Sequence, residues 1–323
     1  MEVFRLMPPP EQRTPCALTI GNFDGVHRGH QAVLAALKAR AGELGVPTCV
    51  LTFEPHPREY FAEQSGGSIV APPRILTERD KLDALAEHGV DLVCIAHFNA
   101  TLASLAAEAF IEDIIAQGLH TRHLLIGDDF RFGARRRGDW SMLEAAAPRL
   151  GFELARMHTV SDDGERISSS SVRGALAVGD FERSHRLLGR PYFISGHVVY
   201  GRQLGRTLGF PTLNIRIPFA NPSLDGVFVV QVHGVGERPW PGVASLGRRP
   251  AVEEDGKLLL EVHLFDFSGD LYGKLVRVEF LRRLREERNY DSLERLTAQI
   301  RRDAQQAREH FGIAEAPAPP HDL

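Results

Sequence analysis

Cys16-Ala17-Leu18-Thr19-Ile20-Gly21-Asn22-Phe23-Asp24-Gly25-Val26-His27-Arg28-Gly29-His30 reads as an apolar strand, a glycine-punctuated turn carrying two histidines, and the start of a helix. The segment that follows places Val33, Leu34, Leu37, Ala41 and Leu44 on one stripe and ends at Gly45 and Pro47, the pattern of an amphipathic helix with its stop signal. Strand, turn and helix in that order open a parallel sheet covered by helices, and the alternation continues to about Leu188. It predicts strands at 16–20, 48–53, 91–96, 123–126 and 153–157, with further helices at 78–87, 105–117 and 141–150. Around Gly189-Arg190-Pro191 the pattern changes to closely spaced short strands with turn residues between them. The second half therefore reads as a small β domain that ends near Phe280. Ser292 then caps a long helix whose Leu293, Leu296, Ile300, Ala304, Ala307 and Phe311 share a face. The expected division is 1–187, 188–312 and a disordered Ala- and Pro-rich tail at 313–323.

A chain of 323 residues with 43% hydrophobic residues can build two ordinary cores. A formal charge of -4 excludes the strong basic field that drives binding to nucleic acid or anionic membranes, while small anionic ligands stay open. Cys16, Cys49 and Cys94 lie in separate apolar runs without metal-type spacing, so buried reduced thiols are expected. The N-terminus lacks the basic-then-apolar order of a signal peptide, and no apolar run approaches the roughly 18 residues that span a bilayer. A cytoplasmic protein is the expectation; weak or transient self-association stays open, and the sequence does not set the oligomeric state.

In open α/β sheets ligands bind beyond the carboxyl ends of the strands, so the post-strand loops are where chemistry is sought. His27 and His30 stand at a strand-to-helix turn, where helix amides and two imidazoles can converge on phosphate while Gly25 and Gly29 admit close backbone approach. There is no GxxxxGK[ST] and no GxGxxG after the first strand. Ser168-Ser169-Ser170-Ser171 with Arg173 reads either as a solvated helix cap or as a second phosphate-binding helix start. Asp128-Asp129 is either a turn at a strand end or a ribose or metal contact, and Arg135-Arg136-Arg137 either a solvated face or a ligand contact.

In the second half Gly196, Gly201, Gly205 and Gly209 lead into Pro211-Thr212-Leu213-Asn214. In an extended segment Thr212 and Asn214 point the same way, as a hard-cation or phosphate site needs. Glu261 and His263 share the face of a strand opposite Leu258, Leu260, Val262 and Leu264, which makes Glu261 a candidate general base toward a hydroxyl or, alternatively, a salt-bridged surface carboxylate.

From about Cys16 to Phe311 the chain resembles the bacterial bifunctional riboflavin kinase/FAD synthetase family. The resemblance rests on Gly21–His30, Thr52-Phe53-Glu54-Pro55-His56-Pro57, Gly127–Gly133 with Gly138, Ile167–Arg173, Gly205–Asn214 and Asp270-Leu271-Tyr272-Gly273. It implies a Rossmann-like nucleotidyltransferase of the HxGH type that adenylylates FMN to FAD, followed by a small antiparallel β-barrel that phosphorylates riboflavin to FMN, both using ATP and Mg²⁺. Under it Gly21, Asn22, Phe23, Asp24, Gly25, His27, His30, Asp129, Ser168, Ser169 and Arg173 would form the adenylyltransferase ATP site, with Asp129 near the metal and His27, His30 and Arg173 catalytic. Gly201, Gly205, Arg206, Gly209, Pro211, Thr212 and Asn214 would bind ATP and flavin in the kinase, Thr212 and Asn214 would hold the metal, and Glu261 would deprotonate the ribityl hydroxyl. The chain has Ser170 where the family usually has Thr, and Ser245 and Ala251 where Asn and Thr are usual. Three other readings are weaker: one active domain, a non-catalytic flavin-binding regulator whose ATP-handling groups should have decayed, and a tRNA-charging enzyme, which would need a Lys-rich partner loop and a basic surface.

Overall fold

Strand β2 (Cys16–Ile20) forms as expected and becomes an inner strand of a six-stranded sheet of order β1-β4-β3-β2-β5-β6. Its companions are β1 (Glu2–Arg5), β3 (Thr48–Glu54), β4 (Leu92–His97), β5 (Thr121–Gly127) and β6 (Glu153–Met157), every neighbouring pair parallel. The computed structural model describes residues 1–162, 164–201, 205, 208–219, 221–247 and 258–314. Two compact units are present, Met1–Pro72 with Lys81–Ser169, and Pro73–Asp80 with Ser170–Leu323.

In the first unit helices α1 (Arg28–Leu44), α2 (Pro57–Gln64), α4 (Ala100–Ser104), α5 (Ala107–Ala109) and α6 (Trp140–Leu150) connect the strands, and α3 (Glu78–Glu87) belongs to it from Lys81 on. The two faces of β2 divide the core. Ala17 packs with Leu37 and Ala41 of α1, while Cys16, Leu18 and Ile20 join Leu51, Cys94, Phe110, Ile115 and Leu143 on the other side. The helix expected at 105–117 begins at α5 and continues as a π-helical stretch over Phe110–Gly118, closed by Leu119 N donating to Ile114 O at 2.9 Å. The wider turn keeps Ile111, Ile115 and Leu119 all buried. Strand β1 was not expected; four residues are too few for a periodicity, and it is held by backbone bonds such as Glu2 N to Asp91 O at 2.8 Å. A two-stranded hairpin, β7 (Ser161–Asp162) and β8 (Glu165–Arg166), follows β6.

The second unit contains α7 (Ser169–Ala177, from Ser170 on), α8 (Phe181–Leu188) and a closed antiparallel barrel of order β10-β13-β12-β11-β14-β9. Its strands are β9 (Phe193–Val199), β10 (Leu213–Ile217), β11 (Gly226–His233), β12 (Trp240–Leu246), β13 (Leu258–Leu264) and β14 (Leu275–Arg285), so the β segment runs beyond Phe280. Along β11 Phe228 alternates with Val229, yet both are fully buried. Val227, Val229 and Val243 lie under Ala304 and Ala307 of the terminal helix α9 (Leu293–His310). Ser292 caps α9 as expected, accepting from Arg295 N at 3.3 Å. The predicted stripe needs one correction, because Leu293 is exposed whereas Asp303 and Arg308 are buried. Ion pairs explain this: Arg285 grips Asp303, with Nη2 to Oδ2 at 2.7 Å, and Arg308 grips Asp266 at 2.8 Å.

Candidate functional site

β3 and β5 flank β2 on opposite sides, so the chain reverses its winding at the β2/β5 edge and the loops after these two strands diverge. A cavity of about 600 Å³ opens there, lined by Gly21, Asn22, Phe23, His27, His30, Asp129, Ser168 and Ser169 among others. His27 is the N-cap of α1; its Nδ1 accepts from His30 N at 3.3 Å, and the two imidazoles stack with centroids 3.7 Å apart. Ser169 Oγ donates to Asp24 O at 2.8 Å, which ties the serine stretch to the first loop across 145 residues of sequence. Asn22 Oδ1 is buried with no hydrogen-bond partner among the described residues, and Asn22 lines the cavity.

Asp24 is buried and Gly25 takes a left-handed backbone, but neither lines the cavity. Arg173 belongs to the second unit, where its Nε donates to Pro73 O at 2.6 Å. Asp129 pairs with Arg166 at 2.8 Å, an exposed contact that exchanges at little cost. Sequence reasoning missed the aromatic wall. Phe53, Phe61 and Phe98 line the cavity, with Phe98 edge-on to both others at 6.0 and 5.7 Å. Phe130 and Phe132 add a stacked pair at 5.5 Å. Phe53, Phe130 and Phe132 sit in the flagged motifs, whereas Phe61 carries no local signal.

In the barrel, register gathers the candidates on three adjacent strands: Glu261 lies opposite Asn214 of β10 on one side and Ser245 of β12 on the other. Asn214 is buried, and Gly201 is required beside it, since a Cβ there would fall against the Asn214 amide. Burial pushes the Glu261 carboxyl above the usual carboxylate range, and the charge of Glu287 adds to the shift. Ser245 Oγ donates to Glu287 at 2.7 Å, so Ser245 is tied to that same carboxylate. His263 Nδ1 lies 2.8 Å from Pro211 O; burial lowers its pKa, and that bond partly offsets the shift. Pro211 and Thr212 line a small pocket of about 90 Å³ with Asp270, Leu271 and Tyr272, and Tyr272 stacks on Tyr200 at 3.7 Å. Gly205 stands close to Thr212 Oγ1, and Gly209 is left-handed at φ 83°. Arg206 and the 248–251 part of the Ser245–Ala251 loop lie outside the described residues, as does the tail at 315–323.

Cys16, Cys49 and Cys94 are buried free thiols on β2, β3 and β4. Contact with Cys16, then with Cys94, and burial raise the Cys49 thiol well above its ordinary value. Among the described residues no group of three or more His, Cys, Asp or Glu could hold a metal ion, and no helix is long and apolar enough to cross a membrane.

Comparison with known proteins agrees with both halves. The FAD synthetase family model matches residues 9–171 and the riboflavin kinase model matches 188–311. Bifunctional riboflavin kinase/FMN adenylyltransferases are 49% identical in Pseudomonas fluorescens, covering 93% of this chain and 94% of the relative, and 45% identical in Escherichia coli strain K12 over the same shares. A solved structure from Streptococcus pneumoniae, described as a macrolide-efflux protein, is 27% identical with a TM-score of 0.72 and covers 95% of this chain and 99% of that one. With a nucleotidyltransferase-type sheet followed by a closed barrel, and sequence likeness running through both, the chain belongs to the bifunctional riboflavin kinase/FMN adenylyltransferase family.

Proposed function

We propose that the two activities of the family divide as 188–312 for phosphorylation of riboflavin to FMN and 1–187 for adenylylation of FMN to FAD, and that the residues described above carry them. The observation that weighs most is the convergence of Asn22, His27, His30, Ser168 and Ser169 on one cavity at the β2/β5 reversal. Nucleotidyl transfer needs donors around the α- and β-phosphates rather than a covalent nucleophile. The amides opening α1 and the imidazoles of His27 and His30 supply them, with Ser168 and Ser169 facing the same space. Gly21, Phe23, Asp24 and Gly25 shape the turn, and Arg173 is assigned to the phosphates on family resemblance alone.

In the kinase the Glu261 carboxylate takes the proton from the ribityl hydroxyl as the hydroxyl oxygen attacks the γ-phosphorus of ATP, the bond from that phosphorus to the bridging oxygen breaks, and the electron pair leaves with ADP. Its burial between Asn214 and Ser245 favours a base with a raised pKa. Thr212 and Asn214 offer oxygen donors only, which suits Mg²⁺, a hard ion that takes one or two protein ligands and completes its shell with water and phosphate. Bound there it would neutralise charge on the transferring phosphoryl group. Asp129 is the corresponding candidate in the first unit, once Arg166 has exchanged away. A cytoplasmic location is in keeping with the three reduced cysteines. An efflux activity, suggested by the description of the Streptococcus pneumoniae structure, is disfavoured by the FAD synthetase and riboflavin kinase models that match residues 9–171 and 188–311.

Incubation with riboflavin, ATP and Mg²⁺ and chromatography of the products tests the assignment. FMN and then FAD should accumulate. Glu261→Ala should stop FMN formation and leave FAD synthesis from supplied FMN intact; His30→Ala should do the reverse. An unchanged kinase rate in Glu261→Ala would remove it as the base, and a wild-type protein that binds flavin without turnover would favour a regulator.

A further inference from the structure

Five arginines line the cavity of the first unit: Arg58, Arg131, Arg135, Arg136 and Arg166. Two are neutralised, Arg131 by Asp139 at 3.2 Å and Arg166 by Asp129 at 2.8 Å. The side chains of Arg135 and Arg136 make no ion pair or hydrogen bond among the described residues, although they are adjacent like charges. Both also adopt a left-handed backbone, φ 55° and 56°, a conformation that costs a non-glycine residue on the order of 1 kcal/mol or more.

Their loop is fixed on three sides. Phe132 and Gly138 exchange backbone bonds at 3.2 and 2.9 Å, and Ala134 N donates to Leu105 O at 2.7 Å. Gly133 abuts the Ala107 backbone so closely that a Cβ would lie 2.7 Å from Ala107 Cα. The turn thus holds two uncompensated guanidinium groups at the rim of a site built for phosphates. Such a pair matches a phosphate dianion through forked, charge-assisted bonds.

Two anionic substrates meet in this site, and the stereochemistry of the transfer distributes them. An FMN phosphate oxygen attacks the α-phosphorus of ATP, the new P–O–P bond forms, the bond to the β-phosphate oxygen breaks, and the electron pair leaves with pyrophosphate. Entering and leaving oxygens lie roughly in line on opposite faces of the α-phosphorus. The helix amides and histidines after β2 take the polyphosphate. The entering phosphate then belongs to the loop after β5, across the strand reversal, and that loop carries Arg135 and Arg136.

We propose that Arg135 and Arg136 form the subsite for the phosphate of FMN and so make the adenylyltransferase select FMN over unphosphorylated flavin. The proposal rests on the adenylyltransferase reading of this cavity. The test is steady-state FAD synthesis from supplied FMN and ATP by the full chain, for wild type, Arg135→Ala/Arg136→Ala, Arg135→Lys/Arg136→Lys and Arg58→Ala. Loss of two charge-assisted contacts should raise KM for FMN by about tenfold or more, leave KM for ATP within about twofold, and leave inhibition by lumiflavin, which has the ring and no phosphate, unchanged. The lysine pair should recover part of the loss, because it keeps charge without the fork. If the alanine pair is poorly folded, Arg135→Gly/Arg136→Gly, which accepts a left-handed backbone freely, replaces it. An unchanged KM for FMN, an equal rise in KM for ATP, weaker lumiflavin inhibition, or a larger effect of Arg58→Ala would overturn the assignment. No FAD from the wild type would instead overturn the adenylyltransferase reading itself.

Discussion

Arg285→Ala should destabilise the barrel more than Asp303→Ala does, although both delete the same ion pair. Asp303 accepts from Arg285 Nε at 3.0 Å to each oxygen and from Nη2 at 2.7 Å, with Gln299 Nε2 as its remaining donor at 2.8 Å. Its side chain is 7% exposed, against 21% for Arg285. Removing the arginine strands a buried carboxylate on one neutral donor, a cost of about 3–5 kcal/mol. Removing the carboxylate leaves a guanidinium that still donates to Glu286 O at 2.9 Å and reaches water, a cost of about 1–2 kcal/mol. Replacing both as Arg285→Met/Asp303→Leu should come out near neutral, since apolar packing substitutes for a buried pair. The chain has two tryptophans, so a Trp140→Phe background makes Trp240, on β12, the fluorescence reporter of the barrel in urea. A loss of 3–5 kcal/mol moves the midpoint by roughly 1.5–3 M. Equal losses, or a larger loss for Asp303→Ala, would refute the claim that the depth of Asp303 sets the cost.

Glu261→Gln should lower FMN formation by about 100- to 10,000-fold. Because the folded Glu261 pKa is raised by burial and by Glu287, wild-type barrel stability is fully present below the unfolded carboxylate pKa and falls as pH rises through the folded value. The glutamine variant should lack that fall, and parallel pH slopes in urea titrations would contradict the assigned environment. Gly133→Ala introduces a Cβ 2.7 Å from Ala107 Cα at φ 69°, so it should reduce FAD synthesis and thermal stability together; wild-type values for both would mean the loop yields. Cys16, Cys49 and Cys94 should resist alkylation in the native protein and all react in denaturant; modification of Cys49 at the native rate of a free thiol would conflict with its burial.

The parts of the fold legible in the sequence are those where a single periodicity operates. Strand β2, helix α3 and the Ser292 cap fall where the pattern predicts, because strand alternation, an apolar stripe and a capping side chain are local properties. The stripe rule misjudged α9 because it counts apolar residues, and Asp303 and Arg308 are buried by partners on β14 and at Asp266, far away in sequence. The same limit governs the sites. His27 and His30 announce themselves within four residues, whereas the wall of Phe53, Phe61 and Phe98 is assembled from three separate segments.

The two centres differ in what holds them, and this sets how each responds to change. Asn214, Glu261 and Ser245 are neighbours only because three strands keep register, and a slip of one residue would turn each to the opposite face. Kinase activity should therefore be lost in an all-or-none way with barrel integrity. The groups proposed for the adenylyltransferase sit on loops after β2 and β5 and at Ser168 and Ser169, joined by contacts such as Ser169 Oγ to Asp24 O, so each can shift while the sheet stays whole. Mild denaturant should then abolish FAD synthesis before the sheet unfolds, while FMN synthesis persists until the barrel itself opens. Loss of both activities at one midpoint would mean that the loops are as firmly fixed as the strands.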